Sequence, residues 1–245
     1  MMDVLQDLLN YYGQNAWYVW EQFYKQFLMS AYGVLFGAIV GIPIGIFIAH
    51  HNRLSPWVIS LANIIQTIPA LAMLGVLMLV MGLGPNTVVF ALFLYSLLPI
   101  IKNTYTGIRN VDPAMLESGK GMGMTRLQVL RMVELPLSLS VIMAGLRTAL
   151  VITIGVATIG TFIGAGGLGD IIIRGTNVSD GTTIILAGAI PTALMAIIAD
   201  AVMGWFEKRL APSTRLKKKS GKSSVKNFLL KNHSHVNNSW SLSCA

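Results

Sequence analysis

The sequence predicts an all-α integral membrane protein with about five transmembrane helices, and three observations predict it. Of 245 residues, 54% are hydrophobic and only 11% charged, with a mean hydropathy of +0.65. Soluble domains carry about 25% charged residues, so this chain has too little polar surface to cover its apolar side chains in water. Uncharged stretches long enough to cross a bilayer recur along it. Basic residues concentrate in every second connection between them, which orients all five spans the same way.

Taken in order, residues 1–27 read as an extracytoplasmic N-terminal segment. It opens with Asp3 and Asp7, unlike the basic start of a cleaved signal peptide. No charge occurs from Gln26 to Ala49, which places a first span near 28–49. Within it Gly33, Gly37, Gly41 and Gly45 recur every four residues. That spacing makes one groove where another backbone can approach, within the chain or on a second subunit. Pro43 is expected to kink this helix. The uncharged run from Leu54 to Ile101 is too long for one helix and breaks at Gly82-Leu83-Gly84-Pro85-Asn86. It yields a second span near 57–81 and a third near 87–102. A fourth runs from about Leu137 to Ile163, and a fifth from about Thr183 to Phe206.

The connection after the first span carries Arg53 and two histidines, and that after the third carries Lys102, Arg109, Lys120, Arg126 and Arg131. Lys208, Arg209 and a cluster after Arg215 follow the fifth. The 82–86 turn is uncharged, and 164–182 holds one arginine against two aspartates. The N-terminus is therefore expected outside and the C-terminus in the cytoplasm. The formal charge of +8 comes almost entirely from the end of the chain. Residues 212–245 hold Arg215, Lys217, Lys218, Lys219, Lys222, Lys226 and Lys231 and no acid. Following a hydrophobic segment, this basic stretch reads as a cytoplasmic tail and not as a nucleic-acid patch. Its Asn/Ser/His-rich end is expected to be disordered. The organisation is thus 1–27, a transmembrane domain over 28–210, and a tail over 211–245. The single Cys244 excludes an internal disulfide.

The connection between spans three and four carries the most information. Asp112-Pro113 is a helix start, with a capping residue before proline at the first helical position. Gly119, Gly121 and Gly123 then predict a break. A second amphipathic helix follows, with Leu127, Leu130 and Met132 on its apolar side and Arg126 and Arg131 on its polar side, ending at Leu135-Pro136. Two short helices at the cytoplasmic surface suit docking into a groove on another protein.

This stretch resembles the EAA motif of ABC-importer permeases: Glu-Ala-Ala, three residues, Gly, nine residues, Ile, one residue, Leu-Pro. Glu117 matches, Ser118 and Gly119 stand for the alanines, Gly123 matches, Val133 stands for isoleucine, and Leu135-Pro136 match. Ile64-Ile65-Gln66-Thr67-Ile68-Pro69-Ala70-Leu71-Ala72 and Ile163-Gly164-Ala165-Gly166-Gly167-Leu168-Gly169 resemble the osmoprotectant branch, which imports glycine betaine, carnitine or choline. The resemblance covers residues 20–210 and implies a multi-pass permease in the bacterial cell membrane. It makes Glu117, Ser118, Gly119, Gly123, Leu135 and Pro136 the ATPase-coupling residues, in a coupling helix seated in a cleft of the ATPase. Its partners would be cytoplasmic ATP-binding subunits, a second permease subunit (identical or related) and an extracytoplasmic solute-binding protein. ATP and magnesium would sit on the ATPase, and this chain would hold no cofactor. The alternatives are a permease for a methionine- or phosphonate-like solute and a channel outside the ABC class. A channel should show a filter-like segment or charged pore rings, and neither is present in the sequence.

Several motifs need another reading. No Gly-x-x-x-x-Gly-Lys-Ser/Thr occurs, so the chain itself is not the ATPase. Gly164 to Gly169 fits a dinucleotide pattern but follows a span rather than a strand, so a hinge or gate-adjacent turn is expected. His50-His51 and His233/His235 lack carboxylate or cysteine support for a metal, and no metal site is expected. Arg147 and Asp200 fall inside spans four and five, each about 12–17 Å from the cytoplasmic end. Intramembrane charges face protein or water, which makes the two candidates for an intramembrane ion pair, with snorkelling of Arg147 the alternative.

Overall fold

The computed structural model describes residues 2–179 and 181–210, so the expected tail over 211–245 lies outside the described residues. Among the described residues every regular element is helical. The helices are α1 (Met2–His50), α2 (Ser55–Thr67), α3 (Ala70–Met81), α4 (Pro85–Arg109), α5 (Pro113–Gly121), α6 (Arg126–Val129), α7 (Leu135–Ile159), α8 (Leu168–Thr176) and α9 (Thr182–Leu210). Four helical runs are long and apolar enough to span a membrane, and the bent pair α2–α3 makes a fifth.

The glycine row of α1 packs against α4 of the same chain. A Cβ at Gly33 would meet Leu92 at 2.6 Å, at Gly41 Ile100 at 3.0 Å, and at Gly45 Thr104 at 2.6 Å, while one at Gly37 would run into Ser96 Oγ. Two rows of period four thus interlock, and Ser96 Oγ donates across the seam to Gly33 O at 3.3 Å. Residue numbers rise together along both rows, so α1 and α4 are parallel. The backbone of α1 stays helical through Pro43 and breaks at Asn15 (φ −120°, ψ 18°) instead. The contacts of Gly41 and Gly45 with α4 hold the helix on both sides of the proline.

Because α1 and α4 are parallel, α2 and α3 must return the chain across the bundle. The second span is not the single helix expected over 57–81. It is two helices bent by 95°, broken where Ile68 (φ −66°, ψ 126°) precedes Pro69. The proline ring excludes the helical conformation for the residue before it. Legs of 13 and 12 residues at that angle still separate their ends by about 25 Å. The Ile68 carbonyl left free by the break accepts from the Tyr95 hydroxyl on α4.

α7 runs antiparallel to α4, with Gly107 beside Ser138, Gly145 beside Asn103 and Gly160 beside Val88. One end of the bundle therefore gathers the ends of α1, α4 and α9 with the start of α7. The opposite end holds the turns at 82–84 and 160–167, joined by Gly84 N–H to Ile163 O at 3.0 Å. Buried Met73, Leu74, Val88, Leu92, Tyr95 and Ile163 belong to one apolar core cluster.

Candidate functional site

The loop from Asp112 to Pro136 hangs from the first of these ends. Asp112 Oδ1 accepts Ala114 N–H at 2.9 Å and caps α5, with Pro113 in its first turn. The helix closes in a Schellman motif: Met124 N–H donates to Gly119 O at 3.2 Å and Gly123 N–H to Lys120 O at 2.9 Å. That motif needs a left-handed residue at the position of Gly123, whose φ is +79°. Thr125 then caps α6 through a reciprocal capping box with Gln128. The sequence signals for both helix starts and for the break are therefore local and self-sufficient.

The second loop helix does not end at Leu135-Pro136. It passes through a π turn over Leu130–Glu134 directly into α7, giving one helical run from Arg126 to Ile163. The extra residue of a π turn makes room for a proline that would otherwise clash with the carbonyl four residues back. Its facing also differs from the expected one. Val129 and Glu134 are buried, whereas Leu127 is 56% and Met132 64% exposed. Met115 and Met122 are likewise exposed, and Val129 and Val133 fill the side facing Gly119.

The six loop residues singled out from sequence occupy three settings. Glu117 and Ser118 are exposed on α5, with Ser118 Oγ donating to Ala114 O at 2.8 Å. Gly119 is buried, and a Cβ there would lie 3.5 Å from Met124 Sδ and 3.7 Å from Val129 and Val133. Gly123 makes the turn. Leu135 is half-buried and Pro136 exposed just beyond the π turn.

Sequence reasoning missed the contact that anchors this loop. Glu134 is 8% exposed, and its Oε2 lies 3.1 Å from His50 Nε2 at the end of α1. That oxygen has no hydrogen-bond partner among the described residues. His50 Nδ1 faces Ile46 O at 3.0 Å and His51 Nδ1 faces Phe47 O at 2.9 Å. His233 and His235 lie outside the described residues.

The structure brings Arg147 and Asp200 together. Nε reaches Oδ1 at 2.5 Å and Nη2 reaches Oδ2 at 2.6 Å, a two-pronged contact. Glu207, one further turn pair along α9, accepts from Nη1 at 3.3 Å. Gly204 lies between the two acids, and the guanidinium sits over it, 3.1 Å from where a Cβ would be. Glu207 was legible as the acid seven residues after Asp200, on the same helical face.

At the opposite end the glycine-rich turn is filled by the chain itself. Gly164, Gly166 and Gly167 have positive φ. Gly167 N–H donates to Gln22 Oε1 and Leu168 N–H to Gln26 Oε1, each at 2.8 Å. The amides that a phosphate would use are thus occupied by two glutamines of α1. Gln26 Nε2 also donates to Ile154 O at 3.2 Å and Thr158 Oγ1 at 3.0 Å. Their spacing of four on α1 was the available signal, since it puts two amides on one face of an apolar helix.

Residues 41–212 match the family described as binding-protein-dependent transport system inner membrane component. The chain is 71% identical over 220 residues to the glycine betaine/carnitine/choline transport system permease protein OpuCD of Bacillus subtilis (strain 168), covering 90% of this chain and 95% of that one. It is also 71% identical over 211 residues to the carnitine transport permease protein OpuCD of Listeria monocytogenes serotype 1/2a (strain 10403S), covering 86% and 95%. Among solved structures, the inward-facing methionine ABC transporter MetNI superposes with a TM-score of 0.72 at 19% identity, over 80% of this chain and 97% of that one. At that identity the likeness speaks for the fold alone.

Proposed function

The chain belongs to the binding-protein-dependent transport system inner membrane components, and on that premise we propose that it is the permease subunit of an ABC importer for glycine betaine, carnitine, choline or a similar osmoprotectant. The observation that carries the solute class is 71% identity over 220 residues to a relative with that name. The family's EAA loop, here residues 117–136, supports coupling to a separate ATPase. In this reading the basic end of the bundle, with Arg109, Arg126, Arg131, Lys208 and Arg209, is cytoplasmic. The exposed Met115, Met122, Leu127 and Met132 surface docks in the ATPase cleft, with Glu117 beside it meeting a basic group there. Methionine suits such a contact because its unbranched thioether adapts to a partner that changes shape.

The mechanism follows from how the loop is attached. ATP and magnesium bind the ATPase and not this chain. When the ATPase pair closes, it pushes on α5 and α6. Since α6 continues through the π turn into α7 without a flexible link, the push passes to α7 as a lever. Two permease subunits, identical or related, then rock from inward-facing to outward-facing around solute delivered by an extracytoplasmic binding protein. Gly123 keeps α5 folded back on α6, and Leu135-Pro136 sets the joint through which the motion passes.

The test is uptake of radiolabelled betaine, carnitine and choline at high salt in a strain lacking its own osmolyte importers. The ATPase, the binding protein and any related permease are expressed together with wild type or Gly123→Asp. Uptake with wild type and its loss in the variant, at equal membrane abundance, is the expected result. No uptake of any of the three with wild type removes the solute assignment. Unchanged uptake in Gly123→Asp removes the coupling role of the turn.

A further inference from the structure

We propose that the outer face of α7, with the Arg147–Asp200–Glu207 cluster, lines the water-filled path taken by the solute and faces neither lipid nor a covering protein. This deepens the permease reading and rests on it.

The first argument is the cost of charge. The side chains of Arg147, Asp200 and Glu207 are 36%, 43% and 29% exposed at the surface of the chain. Asp200 lies ten residues before the end of α9 and about 7 Å deeper than Trp205. Trp205 carries Arg209 over its ring at 4.3 Å, an arrangement typical of the membrane–water interface. Charges at the depth of Asp200 are not left open to hydrocarbon; they face protein or water.

The second argument separates water from a protein cover. One guanidinium serves two carboxylates, so the cluster keeps a net negative charge, and a covering protein would have to bury an excess anion. The charges also open into a concave groove of about 390 Å³, floored by Ala144, Thr148, Val151 and Ile152. Thr148 and Gly155 are exposed along the same side of α7, and Gly155 has nothing within 4 Å. The other sides of α7 are already occupied, with Ala149 buried beside Val34 and Ile100 and Gly145 against Asn103. A small, partly hydroxylated, negatively biased wall suits the passage of a trimethylammonium group, the cationic part shared by betaine, carnitine and choline. It would attract the group without an aromatic cage that held it.

The test is cysteine accessibility in the assembled transporter, with Cys244→Ser as background. Single cysteines replace Thr148 and Gly155 on the proposed wall. A third replaces Ile198, 56% exposed among Trp20, Phe27 and Val202 on the apolar groove between α1 and α9. The probe is a methanethiosulfonate bearing a trimethylammonium group, added to open membranes. Thr148→Cys and Gly155→Cys should react at least about tenfold faster than Ile198→Cys, because a thiol in lipid does not ionise. Reaction as slow as that of Ile198→Cys at both positions would overturn the inference. Oxidative cross-linking of Thr148→Cys to its counterpart in another subunit without probe labelling would also overturn it. Fast labelling in a transporter that takes up none of the three osmolytes would uphold the wall and reject only the solute assignment.

Discussion

The two ends of the bundle solve the same problem in opposite ways. Each contains a glycine-rich turn with positive-φ residues, Gly164, Gly166 and Gly167 at one end and Gly123 at the other. At the first end the freed amides are buried and taken by Gln22 and Gln26 of α1. At the second the turn is satisfied by its own backbone and by local caps. Large apolar side chains, Met122 at 70% and Met132 at 64% exposed, stay uncovered there. One turn is locked by distant parts of the same chain, and the other is finished locally with exposed side chains around it. A glycine motif therefore says little until it is known what answers its amides.

Substitutions at the two ends should separate stability from transport. The largest stability effect is expected from Gln26→Leu, which leaves Leu168 N–H without its buried acceptor, while the Thr158 hydroxyl keeps Ile154 O. A loss of about 3 kcal/mol is expected, read as a lower unfolding midpoint in detergent. An unchanged midpoint would break the claim that this end is internally locked. Next is Gly123→Ala, where a side chain at φ +79° should cost about 1–2 kcal/mol. Gly119→Ala, whose Cβ has ordinary contacts of 3.5 Å or more, should cost less than about 0.5 kcal/mol. If the two glycines proved equally sensitive, the Schellman assignment would fail. The smallest stability effect belongs to Met132→Ser at the loop end. It should leave the unfolding midpoint unchanged while lowering uptake and the ATPase activity of the assembled complex. Full transport by this variant would mean that the exposed methionines do not meet the partner.

The Arg147–Asp200–Glu207 cluster tests the comparison from the contact between α7 and α9. Arg147→Ala and Asp200→Ala should each destabilise, and the double variant should lose less than their sum, because the two share one contact. Additive losses in thermal unfolding would show that the pair contributes nothing to joining α7 and α9.

Much of this was legible in the residues, and what was not has a common cause. Asp112-Pro113, Gly123 and the Thr125/Gln128 box act within a few residues of themselves, so their roles could be read from spacing. Pro69 was equally local, yet its bend was hidden inside an apolar run that satisfies a hydropathy count as well bent as straight. The facing of Leu127 and Met132 went the other way from the periodic pattern. Val129 and Val133, not the larger side chains, fit over Gly119.

By itself, the sequence determined that the chain lies in a membrane, how many apolar segments it has, and where the capped helix after Asp112 starts. Lipid imposes a minimum apolar length, and capping is chemistry between near neighbours. Only the tertiary structure decided that the glycine row of α1 closes on α4, and that two glutamines answer a turn about 140 residues away. It alone brought Glu134 to His50. These contacts depend on which helix faces which, and in an all-apolar bundle hydrophobicity does not select a neighbour. Close backbone approach and the few buried polar groups do, because in hydrocarbon an unanswered polar group has no water to turn to.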